Sequence, residues 1–187
     1  METEPTRSLA RYSLGAIAFH WTIALLIVLN YAAVWTAESM PKAQAMQIMG
    51  NHKAIGITVL ILSSGSLFWR LTHRPPPLNP DLKPWEKLLA KTVHRLFYVL
   101  MIGIPLAGWL LHSAFSGGKP IPVFGLFSYP GLPLAQNKAL GETFASVHGT
   151  LATILLGVAA LHVAGALKHQ FLDRDGEIGR MLPWRRA

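Results

Sequence analysis

The chain has 187 residues, of which 51% are hydrophobic and only 14% charged, and its mean hydropathy is +0.35. Soluble domains carry about 25% charged residues, so this composition excludes an ordinary water-soluble globule. The absence of cysteine excludes disulfides, iron–sulfur clusters, thiolate zinc sites and covalent c-type haem attachment, leaving eight histidines as candidate metal ligands. The formal charge of +8 does not point to nucleic acid, because the basic residues are spaced by long apolar runs, as in membrane proteins.

Counting only Asp, Glu, Lys and Arg as breaks, Tyr12 to Ala37 is uncharged for 26 residues, Leu96 to Gly118 for 23 and Thr143 to Leu167 for 25. Each is long enough to cross a bilayer, which takes about 20 predominantly apolar residues. The run Ala54 to Trp69 holds only 16, so a second span must start earlier, near Gln47, and carry His52 and Lys53 in its first turns. The four predicted spans are residues 12–37, 47–70, 93–113 and 144–168. Pro120 to Asn137 is also uncharged, but Pro120, Pro122, Pro130, Gly131 and Pro133 would repeatedly break a lipid-exposed helix, so it is predicted to be an ordered external loop. The 26-residue first run is too long for the apolar core of a cleaved signal peptide and reads as the first anchor. The predicted fold is all-α, an integral membrane four-helix bundle making one domain over residues 1–187.

Thirteen basic residues fall on one side of these spans: Arg7, Arg11, Arg70, Arg74, Lys83, Lys87, Lys91, Arg95, Lys168, Arg174, Arg180, Arg185 and Arg186. Four fall on the other: Lys42, Lys53, Lys119 and Lys138. The positive-inside rule then puts both termini and the Arg70–Arg95 loop in the cytoplasm and the Ser113–Glu142 loop outside. Trp35, Trp69, Trp85 and Trp109 lie near span ends and read as interfacial anchors. His73-Arg74-Pro75-Pro76-Pro77 reads as a stiff extended connector.

Ionisable residues within spans are costly and mark function by default. His20 falls in the inner half of span 1, His52 near the outer end of span 2, His94 near the inner end of span 3, and His148 near the outer end of span 4. His162 follows His148 by 14 residues, about 21 Å along a helix and about 40° short of four full turns, so the two share a face at two depths. Two stacked haems need this arrangement, with a second imidazole from another helix at each level. At the outer level the partner is His52; at the inner level it is His20 or His94, which depth does not separate. Gly56, Gly149 and Gly157 would give a flat macrocycle room between helices. Outside the set, His73 reads as a solvated loop residue, His112 as an outer interfacial one, and His169 as interfacial or part of an inner pocket.

With these residues placed, the chain resembles the prokaryotic cytochrome b561 family over nearly its whole length. The resemblance is carried by Arg11-Tyr12 ahead of Ala18-Phe19-His20-Trp21, by Asn51-His52-Lys53-Ala54-Ile55-Gly56 and by His94-Arg95-Leu96-Phe97-Tyr98. It continues through Pro105-Leu106-Ala107-Gly108-Trp109, Val147-His148-Gly149, the run from Leu161-His162 to Lys168-His169-Gln170-Phe171, Asp173-Arg174-Asp175 and Arg180-Met181. The resemblance implies a bacterial inner-membrane protein with two b-type haems, the outer held by His52 and His148, the inner by His20 and His162. His94 then becomes a neighbour of the inner site. The segment Gly117-Gly118-Lys119-Pro120-Ile121-Pro122-Val123-Phe124-Gly125-Leu126-Phe127 resembles the superoxide oxidase-like branch, implying electron transfer from periplasmic superoxide to ubiquinone.

At the outer end, Lys53, Lys119 and Lys138 face only Glu38 and Glu142, a bias that would steer superoxide or another small anionic reductant; ordinary solvation explains such lysines as well. At the inner end, His169, Lys168 and Arg174 are candidate donors to a quinone carbonyl, with His94 nearby and Asp173 or Asp175 as proton relays. Arg180, Arg185 and Arg186 read as a cluster for inner-leaflet lipid. Two other functions fit the same pattern: an electron-carrier subunit linking quinol or quinone to a partner dehydrogenase, and a non-redox protein with histidines on a proton path.

Overall fold

The computed structural model describes residues 9–183; Arg7, Arg185 and Arg186 lie outside them. Four long helices run in sequence: α1 (Leu14–Glu38), α2 (Lys42–Thr72), α3 (Pro84–Ser116) and α4 (Lys138–Lys168). All four are long and apolar enough to cross a membrane. α1 packs on α2, α3 on α4, and α2 also meets α3. α2, α3 and α4 start outside their uncharged cores, and α1 starts just inside its own. Ser13 caps α1 by accepting from the Ala16 amide at 3.3 Å, and Asn137 caps α4 by accepting from Leu140 at 3.0 Å. Pro84 opens α3, and the Glu86 carboxylate accepts the Lys83 amide at 2.9 Å. α3 therefore starts at Pro84, nine residues before its predicted apolar span, while α2 starts at Lys42, behind Pro41 and with no side-chain cap, rather than near Gln47.

Small and branched residues make the buried seams: Ile17 and Ile23 of α1, Ala54, Ile57, Val59 and Leu60 of α2, Val93, Leu100 and Ala107 of α3, and Leu155 of α4. The outside is apolar too, with Leu25, Val28, Phe68, Val99 and Val163 all about half exposed or more. Such a belt is what a bilayer solvates and what water does not. Thr58, Ser64 and Thr153 turn their hydroxyls back onto the carbonyl four residues earlier at 2.8–3.0 Å, so they enter the spans without stranded donors.

The α3–α4 connection is ordered, as predicted, but it contains a hairpin that its prolines concealed. β1 (Ile121–Val123) pairs antiparallel with β2 (Phe127–Tyr129), Ile121 opposite Tyr129. Pro122 is tolerated because a two-stranded ribbon has only edges. Phe124 and Gly125 at the tip take φ values of 51° and 73°. Ile121 and Val123 bury against Ala54 and Ile57, pinning the hairpin to α2.

At the other end, α4 runs into a π-helical turn, His169–Asp173, and then a 3₁₀ turn, Glu177–Met181. That tail is laced to the segment before α1. Arg11 donates to the carbonyls of Leu182 and Pro183 at 2.6 and 2.8 Å, and Trp21 Nε1 donates to Met181 at 2.8 Å. Arg180 is the centre of the lacing, only 3% exposed. It donates to the carbonyls of Ala10 and Pro77, pairs with Glu177 at 3.1 Å and lies over the Tyr12 ring. The expectation that Arg180 contacts lipid is therefore corrected: its guanidinium is spent inside the protein, on two backbone carbonyls and the Glu177 carboxylate.

Candidate functional site: two histidine pairs and two polar ends

The histidines converge in two places. Near the hairpin end, the rings of His52 on α2 and His148 on α4 lie with centroids 6.0 Å apart and planes at 80°. Toward the terminal end, His20 on α1 and His162 on α4 lie 6.1 Å apart at 65°. Two metal–imidazole bonds of about 2 Å each, with the two ring radii added, span about 6 Å between centroids, so both pairs fit axial ligation of a haem iron. Other features fit the same group. His52 Nδ1 is buried without a hydrogen-bond partner among the described residues. A Cβ on Gly56, Gly149 or Gly157 would meet nothing within 4 Å, leaving open space beside α2 and α4.

His162 has a second imidazole neighbour. His94 lies 5.7 Å from it, Phe97 5.3 Å, and Trp21 packs edge-on to His20 at 5.2 Å. His94 Nδ1 donates to the Ala90 carbonyl at 2.7 Å, as the carbonyl can only accept, so its Nε2 would also be free for a metal. Distance leaves His20 and His94 equivalent as partners of His162, as depth along the sequence did. At the other pair, His148 Nδ1 donates to the Ile104 carbonyl at 2.9 Å.

The polar ends differ. At the hairpin end a cavity of about 470 Å³ is lined by Asn51, Lys53, His112, Ile121, Pro122 and Phe124 among others, with no carboxylate in its wall. Lys53 thus lines a cavity next to His52 in sequence. Lys119 does not line it; its carbonyl accepts from His112 Nε2 at 3.0 Å and its side chain is exposed. His112, expected only at the interface, is a wall of this cavity, a role that its place one turn before the hairpin loop did not reveal. Lys138 is paired with Glu142 at 3.6 Å.

At the terminal end, a second cavity of about 440 Å³ is walled by Asp81, Leu82, Lys83, Glu86, Lys168, Asp173 and Asp175. Lys168 bridges Glu86 at 2.8 Å and Asp173 at 2.5 Å, while His169 Nδ1 meets Asp175 at 2.7 Å and Asp173 at 3.0 Å. His169, Asp173 and Asp175 thus form one cluster, which the π-helical turn makes possible by bringing position 173 back under position 169. Arg174 stands apart: it is exposed, takes φ 54° and uses its backbone N–H to close the turn on the His169 carbonyl. Glu86, which sequence reasoning passed over, ties α3 to α4; its signal was an acid at the third position after a Pro-led helix start.

A membrane four-helix bundle with histidine pairs near both ends defines a class, the transmembrane b-type cytochromes. Residues 11–184 match the prokaryotic cytochrome b561 family, and the chain belongs to it. It is 32% identical to cytochrome b561 homolog 2 of Escherichia coli (strain K12) over 95% of this chain and 94% of that one. It is 28% identical to the probable superoxide oxidase CybB of Yersinia pestis, over 95% and 98% of the two chains. Identity is also 28% to cytochrome b561 homolog 1 of Escherichia coli (strain K12), over 94% and 99%. The protein is thus a multi-pass membrane electron-transfer protein of a b-haem family, and a non-redox proton-path role is set aside.

Proposed function

We propose that this cytochrome carries two haem b groups in the bacterial inner membrane and moves electrons from periplasmic superoxide to ubiquinone. The observation that carries the reading is the two imidazole pairs with ring centroids 6.0 and 6.1 Å apart. His52 and His148 hold the outer haem; His20 and His162 hold the inner one, with His94 beside it. The bound haems supply one-electron carriers at two depths. The chain orients them through α4, which contributes one imidazole to each pair.

In this reading both termini face the cytoplasm, so the cavity beside Lys53 faces the periplasm. A wall with a lysine and no carboxylate suits a small anion, and exposed Lys119 adds to the field that draws it in. At the cytoplasmic end, His169 donates to a quinone carbonyl, with Arg174 and His94 alongside, and Asp173 and Asp175 pass protons to it. The sum balances: two superoxide anions each lose one electron to become dioxygen, and one ubiquinone gains two electrons and two protons to become ubiquinol.

A carrier function, with a protein partner in place of superoxide, is favoured by one feature, the exposed apolar hairpin tip of Phe124, Leu126 and Phe127. Stopped-flow mixing of the purified cytochrome with superoxide separates the two. Rapid haem reduction with no partner present is expected, and reduction only after adding a dehydrogenase would favour the carrier. Haem counts on single variants test the ligands. His52→Ala, His148→Ala, His20→Ala and His162→Ala should each fall from two haems to one, while His94→Ala keeps two. Should His94→Ala lose a haem and His20→Ala keep both, the inner pair is His94 with His162.

A further inference from the structure

α3 passes the outer histidine pair without contributing a ligand, yet its backbone is shaped around one of the two rings. His148 Nδ1 donates to the Ile104 carbonyl at 2.9 Å. One turn further along the same helix face, a Cβ on Gly108 would lie 3.1 Å from both Cε1 and Nδ1 of that ring. That is closer than ordinary van der Waals contact, so a side chain at this position would make the ring give by a few tenths of an ångström against its bond to the carbonyl. Between the two lies Pro105, buried inside α3, whose missing amide leaves the Met101 carbonyl without its intrahelical partner.

We infer that Gly108 and the Ile104 carbonyl form a cradle, set by Pro105, that fixes the tautomer and orientation of His148 as an axial ligand of the outer haem. The proposal rests on the assignment of His52 and His148 as that haem's ligands. Because a carbonyl only accepts, Nδ1 carries the proton and Nε2 keeps its lone pair for iron. The hydrogen bond also makes the imidazole a stronger electron donor, which favours the oxidised iron and lowers the potential. Through this bond α3 sets the potential of a haem it does not ligate. Gly108, Pro105 and Ile104 are positioning residues, since none touches the iron.

Redox titration and electron paramagnetic resonance of the purified two-haem protein test this. Gly108→Ala should raise the midpoint potential of one haem and move its low-spin signal, with the other haem unchanged. The haem affected should be the one whose signal disappears in His148→Ala. Gly103→Ala is the control, because a Cβ there meets nothing within 4 Å on the same helix, and it should leave both haems as they are. If Gly108→Ala does not assemble, Pro105→Ala takes its place: it restores the amide at 105, changes the hydrogen bonding of α3 beside the Ile104 carbonyl and should move the same signal in the same direction. An unchanged potential and signal in the variant that assembles would overturn the cradle, as would an equal shift in Gly103→Ala. Retention of both haems with unaltered spectra in His148→Ala would instead overturn the ligand assignment beneath it.

Discussion

The two ends of the bundle solve opposite electrostatic problems with similar residues. At the hairpin end, Lys53 lines a cavity whose wall has no carboxylate, and a small β-hairpin closes over it by apolar contact with Ala54 and Ile57. At the terminal end Lys168 lies beside Glu86 and Asp173, His169 beside Asp173 and Asp175, and Arg180 beside Glu177. An uncompensated cation attracts anions; a chain of paired acids and bases holds protons and charge in place. The contrast suits an end that admits a small anion and an end that delivers protons, and each of the following changes is aimed at one side of it.

The largest effect is expected where the terminal end is most buried. Arg180→Ala leaves Glu177 without its partner and the carbonyls of Ala10 and Pro77 without their donor in a place only 3% exposed. Removing one member of a buried pair costs about 3–5 kcal/mol. Thermal unfolding in detergent should show a clear loss of stability, and because the tail also holds Trp21 against the ring of His20, inner-haem retention should fall with it. A variant as stable as the original protein would mean that the lacing of the two terminal segments adds little.

At the hairpin end the expected loss is kinetic. Lys53→Gln should slow haem reduction by superoxide and flatten its dependence on salt, because screening acts only on charges that remain. Lys119→Gln should do the same to a smaller degree, since its side chain lies outside the cavity wall. Stopped-flow rates at several ionic strengths measure both. Rates equal to those of the unmodified protein would remove the anion-steering role and shift weight to a protein partner at the apolar hairpin tip.

The helices and the histidine faces were legible in the sequence because the bilayer forces long uncharged runs, and a 14-residue spacing on one helix fixes a shared face. Other features needed three dimensions. The hairpin was hidden because Pro122 and Pro130 act as helix breakers without announcing a strand pair. Arg180 looked like one of several tail cations; only the fold brings Ala10 and Pro77 to it from 170 and 103 residues away. Gly108 could be quoted as part of a motif, but its use depends on a ring from another helix.

A smaller effect is expected from His169→Ala. Superoxide should still reduce haem quickly, while re-oxidation of the reduced haem by added ubiquinone slows, since a quinone carbonyl would lose its donor. Arg174→Ala should change this less, because its side chain is exposed and its backbone closes the turn whatever the side chain is. Re-oxidation traces at matched quinone concentration check both, and a normal rate in His169→Ala would put the quinone elsewhere.

The smallest effect is the one that most sharpens the contrast between the ends. Lys138 is a cation at the same end as Lys53, yet it meets Glu142 at 3.6 Å, with the two side chains 85% and 61% exposed. A surface pair of this spacing on a helix contributes about 0.3–0.5 kcal/mol at most. Lys138→Gln should therefore leave stability almost unchanged. It should also leave haem reduction by superoxide near its original rate, because the lysine lost is one already opposed by a carboxylate. If the hairpin end drew anions by net charge alone, Lys138→Gln and Lys53→Gln would remove the same unit of charge and slow the reaction alike. A large effect at Lys53 beside a negligible one at Lys138 would instead locate the attraction in the carboxylate-free cavity, where the field of a single lysine is not cancelled before it reaches His52.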